Sequence, residues 1–158
     1  MQILHALLRT VGLLSATVLI VIGYGVAPVL FVNVEQVAAG NVVGQLLSYV
    51  NIGLLVVVTV LLVGHFLQIV NFVHNWLLVI SGLIVLLTEY WISPLMQAIK
   101  AVYPEGLTKS SPAWSEFAMW HGIYQLLFLS LIVSLILWSL FNLNQLIYQE
   151  KKVNKKSL

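Results

Sequence analysis

"WLLVISGLIVLLTEYWISPLM", residues 76–96, holds one acidic side chain, Glu89, and no other charged residue. A run of ~20 mostly apolar residues is what a helix needs to cross the hydrocarbon of a bilayer. It shows no period-2 alternation of the kind a barrel strand carries. A lipid-buried backbone must satisfy its own hydrogen bonds, so the segment is read as a transmembrane helix. A carboxyl group inside such a helix is costly, which makes Glu89 the first candidate functional group.

The same pattern recurs at about residues 11–31, 46–66 and 114–140, giving four spans. With 61% hydrophobic and 8% charged residues, the chain has too little charge to cover a soluble domain of 158 residues. Trp and Tyr gather near the ends of the apolar runs, as in an interfacial belt. The fold class is all-α: an integral membrane four-helix bundle in one domain, residues 1–150. The last helix is long, with an amphipathic extension through Tyr148, and residues 151–158 form a basic tail.

Local signals set the boundaries. Asn33 and Gln36 have capping-box spacing. They predict that the second helix begins outside the hydrocarbon as a short stretch, Val34 to Gln45, with Gly40 and Gly44 allowing a bend. Pro28 is expected to kink the first helix or end its regular hydrogen bonding. Gly12, Ala16, Leu19, Gly23 and Ala27 share one face and predict close helix packing. Pro104-Glu105-Gly106 reads as a turn, and Ser111-Pro112 as the start of the fourth helix. The N-terminal apolar run lacks a small-x-small cleavage site and reads as a retained helix.

Arg9, Lys151, Lys152, Lys155 and Lys156 fall on one side of this topology, and Lys100 and Lys109 on the other. By the positive-inside rule both termini face the cytoplasm of a bacterial inner membrane, N-in and C-in. The Lys-rich tail is a topology anchor at anionic headgroups; a nucleic-acid role would need basic residues spread over a folded face. There is no Cys and no Asp. No HExxH, phosphate loop or GxSxG elbow is present either, so the reading leans away from an enzyme and names no catalytic residue.

At 1.5 Å per residue, Glu89 lies ~10 Å below Met96 and His121 ~10 Å below Trp114. The antiparallel helices thus bring both to similar depth in the outer half. Gln125 follows His121 by four residues, Ser93 follows Glu89 by four and Gly82 precedes it by seven. Tyr24 and Asn51 have comparable depth on the first two helices. Glu89, His121, Gln125, Tyr24, Asn51 and Ser93 form the expected ligand-binding cluster, with Ser130 and Ser134 on the opposite face of the fourth helix. Such a cluster holds a proton, a cation or a polar headgroup, or fixes helix register. His5, His65 and His74 share the cytoplasmic level and form the alternative, a metal or haem site.

"GYGVAPVLFVNVEQVAAGNVVGQLL", "YWISPLMQAIKA" and "FAMWHGIYQLLFLSLIV" together resemble the bacterial domain of unknown function 4149 family, related to the eukaryotic transmembrane-protein-205 group. The resemblance runs from about Gly23 to Val133 on Pro28, Phe31, Ala39-Gly40, Pro94, Met96, Phe117 and His121-Gly122. Leu95 stands where the pattern has a basic residue, and Tyr124, Gln125 and Phe128 where Ser and Asn follow His-Gly. The resemblance implies a four-helix multi-pass inner-membrane protein and no particular activity. The first helix, His5 followed by an apolar run ending in Pro-Val-Leu-Phe, is also similar to small four-helix proteins of the CopD-like and HemJ-like type, which implies copper or haem-precursor chemistry.

Three readings of function follow. The first is a non-enzymatic membrane protein whose polar cluster binds a small polar or ionic ligand, or specifies assembly. The second is a haem- or metal-linked redox protein. The third is an accessory subunit that pairs with other membrane proteins or with its own copies.

Overall fold

A computed structural model describes residues 2–69 and 72–156, and the side chains of residues 6–69 and 72–143. The described residues are helical with short connections and contain no strand. Helix α1 spans Gln2–Ile20 and passes through a π turn, Val21–Val26, into α2, Ala27–Asn33. Helix α3 is Gln36–Phe66. Helix α4, Trp76–Leu87, passes through a second π turn, Thr88–Ile92, into α5, Ser93–Ala101. Helix α6 runs Trp114–Lys156. Four stretches are long and apolar enough to cross a membrane: Ala6–Asn33, Gln36–Phe66, Trp76–Ala101 and Trp114–Leu143. The fold is therefore an all-α bundle of four antiparallel spans in a membrane protein.

The spans form a ring in which α1 packs on α6 and α3, and α4 packs on α3 and α6. The end carrying the 34–35 and 102–113 connections is called upper here, and the end carrying the 67–75 loop lower. The core is an internal seam of Leu19, Leu54, Val58, Leu78, Val85, Leu131, Leu135 and Trp138. The outside is as apolar as the inside: Val32, Phe66, Leu83 and Leu126 are 84%, 77%, 60% and 69% exposed. Outward hydroxyls bond their own helix: Thr17 donates to the Leu13 carbonyl, Thr59 to that of Leu55 and Ser130 to that of Leu126. That local bond lets a polar residue face lipid without an unsatisfied donor.

Both transmembrane prolines explain a π turn. Proline lacks an N–H and its ring crowds the carbonyl four residues back. The chain responds by widening the preceding turn, with the Ala27 N–H bonding the Ile22 carbonyl before Pro28 and the Ser93 N–H bonding that of Thr88 before Pro94. The irregularity expected at Pro28 is present in this form, and its counterpart at Pro94 is an addition. Above the first π turn, α2 leans onto α3 rather than onto α6.

Several boundaries differ from the sequence reading. Helix α3 is one unbroken 31-residue helix from Gln36, with no separate segment at Val34–Gln45. Its cap is Glu35, whose carboxylate accepts from the N–H groups of Val37 (3.0 Å) and Ala38 (3.2 Å). A negative group at a helix start here meets two of the four free donors and the positive end of the dipole. Asn33 instead donates back to the Val29 carbonyl at 2.8 Å, within α2. The third span continues past Met96 to Ala101, and α6 starts at Trp114, after a Ser111-Pro112 turn. Pro104-Glu105-Gly106 is a turn, closed by the Gly106 N–H on the Tyr103 carbonyl at 2.9 Å, with Gly106 at φ +96°. The backbone of α6 runs on beyond the span through Lys156.

The small-residue face of the first span receives α6. A Cβ on Gly12 would lie 2.8 Å from Trp138, and one on Gly23 would lie 2.6 Å from Phe128. Gly122, by contrast, has no heavy atom within 4 Å of an added Cβ, so no helix approaches it. At the lower end Asn142 clamps the loop: its Oδ1 accepts from the Val73 N–H at 2.9 Å and its Nδ2 donates to the Val73 carbonyl at 3.1 Å. Phe72 packs edge-on against Trp138 beside it, with centroids 4.9 Å apart.

Gly12→Leu is expected to destabilise the protein by about 1–3 kcal/mol, because Trp138 has no room to move. Gly122→Ala leaves stability unchanged or higher; thermal unfolding in detergent compares the two. Asn142→Leu strands the Val73 backbone pair at a cost of about 1–3 kcal/mol. Faster amide hydrogen exchange at Val73 is the direct readout.

Candidate functional site

Glu89 lies in the π turn Thr88–Ile92, half-buried and turned toward α3. The face that carries it is set lower down, where a Cβ on Gly82 would lie 3.4 Å from Val58 of α3. On α3, Asn51, Leu54, Val58 and Leu61 recur at helical spacing and are all buried. Ser48 and Asn51 continue that stripe upward to Glu89. The Ser48 hydroxyl donates to Glu89 Oε1, and Asn51 Nδ2 donates to Oε2 at 3.1 Å. Each carboxylate oxygen thus has one neutral donor. Asn51 is 2% exposed, so this is an interior contact between spans two and three.

Helix α6 completes the cluster with Tyr124, which is buried and lies in interaction range of Asn51 and Glu89. Tyr124 stacks on Phe128 with centroids 6.3 Å apart, and Phe128 occupies the Gly23 notch of the first span. Among the described residues no Lys, Arg or His pairs with Glu89. The result is one carboxylate surrounded by a hydroxyl, an amide and a phenol.

Of the six residues expected to meet, the structure joins Glu89 and Asn51. Ser93 is half-buried one turn above, and its side chain makes no hydrogen bond to Glu89. Tyr24 is 53% exposed and touches the cluster only through Phe128, at 6.2 Å between centroids. His121 and Gln125 are exposed on the outer flank of α6. There His121 stacks on Phe117 (5.8 Å) and approaches Gln125 (3.5 Å). Ser134, expected on the opposite face, is buried and meets Ser81 of α4 at 2.7 Å between hydroxyl oxygens.

The depth comparison explains the substitution of Tyr124 for His121. With the third span ending at Ala101, Glu89 lies ~18 Å below the helix end. On α6 that depth is matched by Tyr124, ~15 Å below Trp114, and not by His121 at ~10 Å. Tyr124 also heads the buried series Tyr124, Phe128, Leu131, Leu135, Trp138 and Asn142. That spacing is visible in the sequence. Ser48 carried a weaker signal, three residues before Asn51.

The three histidines expected at one level do not converge as a described site. His74 is exposed, at φ 56°, and stacks on Phe141 with centroids 4.4 Å apart. The His65 Nδ1 is buried at the end of α3 without a hydrogen-bond partner. The side chain of His5 lies outside the described residues. Among the described residues no three His, Cys, Asp or Glu side chains are placed to share a metal ion.

No curated protein and no solved structure matches the chain. A family model described as Domain of unknown function (DUF4149) matches residues 13–104, more than half of the chain. The matched region holds Ser48, Asn51, Glu89 and both transmembrane prolines, and stops short of α6 with His121-Gly122. The chain belongs to the DUF4149 family.

Proposed function

We propose that the protein is a multi-pass, non-enzymatic protein of the bacterial inner membrane, with both termini cytoplasmic, whose Glu89 site takes up one small monovalent cation, a proton or an alkali ion. The distribution of Lys and Arg supports the orientation, which puts the Glu89 end of the bundle toward the outside. The observation that carries the site is a lone carboxylate deep in a span, held by two neutral groups of α3 with the Tyr124 phenol of α6 in range, and unmatched by any described cation.

A buried charge in lipid is expensive unless neutralised, and one carboxylate calls for one positive charge. The available atoms are Glu89 Oε1 and Oε2, Ser48 Oγ, Asn51 Oδ1 and Tyr124 Oη. Oxygen-only sets of this type suit hard cations. A hydroxyl and a side-chain amide can each present an oxygen to a cation in place of the N–H or O–H they now give Glu89. Glu89 sits in a π turn beneath Pro94, and π bulges recur at functional sites. The lean of α2 toward α3 leaves the upper flank of α6 open beside Tyr24.

The test titrates purified protein with sodium, potassium and protons, reading the thermal midpoint. Selective binding at ~100 Kd stabilises by ~2.7 kcal/mol, so the midpoint of the wild type rises by several degrees with one of the three. Glu89→Gln keeps an amide in the same shape and loses that dependence. A wild type that responds to none of them, or a variant that responds equally, contradicts the proposal and leaves a cluster that fixes helix register. In double-mutant cycles, Asn51→Ala and Glu89→Gln are expected to couple by about 0.6–1.7 kcal/mol, the range of polar pairs in membrane proteins. His121→Leu and Glu89→Gln are expected to be additive.

A further inference from the structure

His121 and Gln125 raise a separate question, because they face outward from a transmembrane helix and the Glu89 site does not use them. Their helix sets their depth. The span Trp114–Leu143 has 30 residues. At 1.5 Å each it is ~45 Å long, about the full bilayer with both headgroup layers. Trp114 then lies among headgroups, and His121, ~10 Å further in, lies close to the hydrocarbon boundary.

Direction matters as much as depth. Side chains on a helix tilt toward its N-terminus, so His121 and Gln125 lean up toward the headgroups. Lys100, in the last turn of α5, leans the other way, down toward them, and α5 packs on α6. Lys100 is within electrostatic range of His121 and has no ion pair with a described acid. Gln125 and His121 approach to 3.5 Å, so an imidazole and an amide sit side by side. Below them Leu126 is 69% exposed, an apolar wall suited to acyl chains.

We infer that Lys100, His121 and Gln125 form a docking site for the phosphate of an anionic phospholipid on the bilayer-facing side of α6. The ammonium supplies the charge and the ring and amide N–H groups supply donors, a set that fits phosphate oxygens. The acyl chains run down the exposed face of α6. Free phosphate has no reason to prefer a wall inside the span, which commits the site to a lipid. The site goes beyond the Glu89 reading and shares no residue with it.

The experiment is native mass spectrometry of the full chain, released from bilayers of mixed phosphatidylglycerol and phosphatidylcholine. The wild type is expected to retain phosphatidylglycerol preferentially. Lys100→Gln lowers that retention about fivefold, the share of one lysine near a membrane surface. A paired His121→Phe and Gln125→Leu variant lowers it further, while Ser130→Ala leaves it unchanged. Equal retention of both lipids by the wild type, or unchanged retention in both variants, overturns the proposal. So does conversion of a dimer to a monomer in the paired variant with lipid retention intact, which assigns the patch to a second copy. Should Lys100→Gln fail to fold by circular dichroism, the wild type decides alone: a phosphatidylglycerol preference insensitive to salt overturns the site.

Discussion

Pro94 cannot donate a backbone hydrogen bond, and its ring crowds the carbonyl four residues back. The third span therefore cannot pass residues 88–93 as a regular α-helix, and it closes a wider turn from the Ser93 N–H to the Thr88 carbonyl. Glu89 sits in that turn. Widening shifts the register of everything above it, so the lower part of the span packs through Gly82 and Ser81 while the upper part presents a carboxylate to α3. Pro28 imposes the same constraint on the first span, and α2 leans away from α6 above it. Two missing N–H groups thus shape the upper half of the bundle.

The lower half obeys a different rule. Gly12 admits Trp138, so van der Waals contact holds the first and last spans together where lipid offers no hydrophobic drive. Ser81 with Ser134, and Asn142 with Val73, add polar contacts that an apolar surrounding makes directional. This packed lower half gives the Glu89 turn a rigid base. The polar groups above are thereby held at matched depth on three different helices.

Much of this was legible in the residues. Four apolar runs gave the class and the span count, the glycine stripe gave the first helix its packing face, and a carboxyl in oil marked Glu89. Asn51 was legible by depth. His121 was misplaced for two physical reasons. Met96 looked like a span end, although the helix runs five residues further, which moves Glu89 ~7 Å deeper relative to that end. The buried face of α6 also follows the large residues Tyr124, Phe128, Leu135 and Trp138, whose packing outweighs the polarity of His121. The cap at Glu35 was hidden because Asn33 and Gln36 mimic its spacing. The π turn at Pro94 was hidden because proline shows where regular bonding fails and not how the chain repairs it.

The contact between Glu89 and the second span is the central claim, and the absence of natural cysteines makes it directly measurable. Cysteine pairs are introduced at Ser48 and Glu89, and separately at His121 and Glu89, in the membrane-embedded protein, then treated with a short bifunctional thiol reagent. The structure predicts rapid cross-linking of the Ser48–Glu89 pair and none of the His121–Glu89 pair. Cross-linking of His121 to Glu89 with Ser48 unreactive would contradict it.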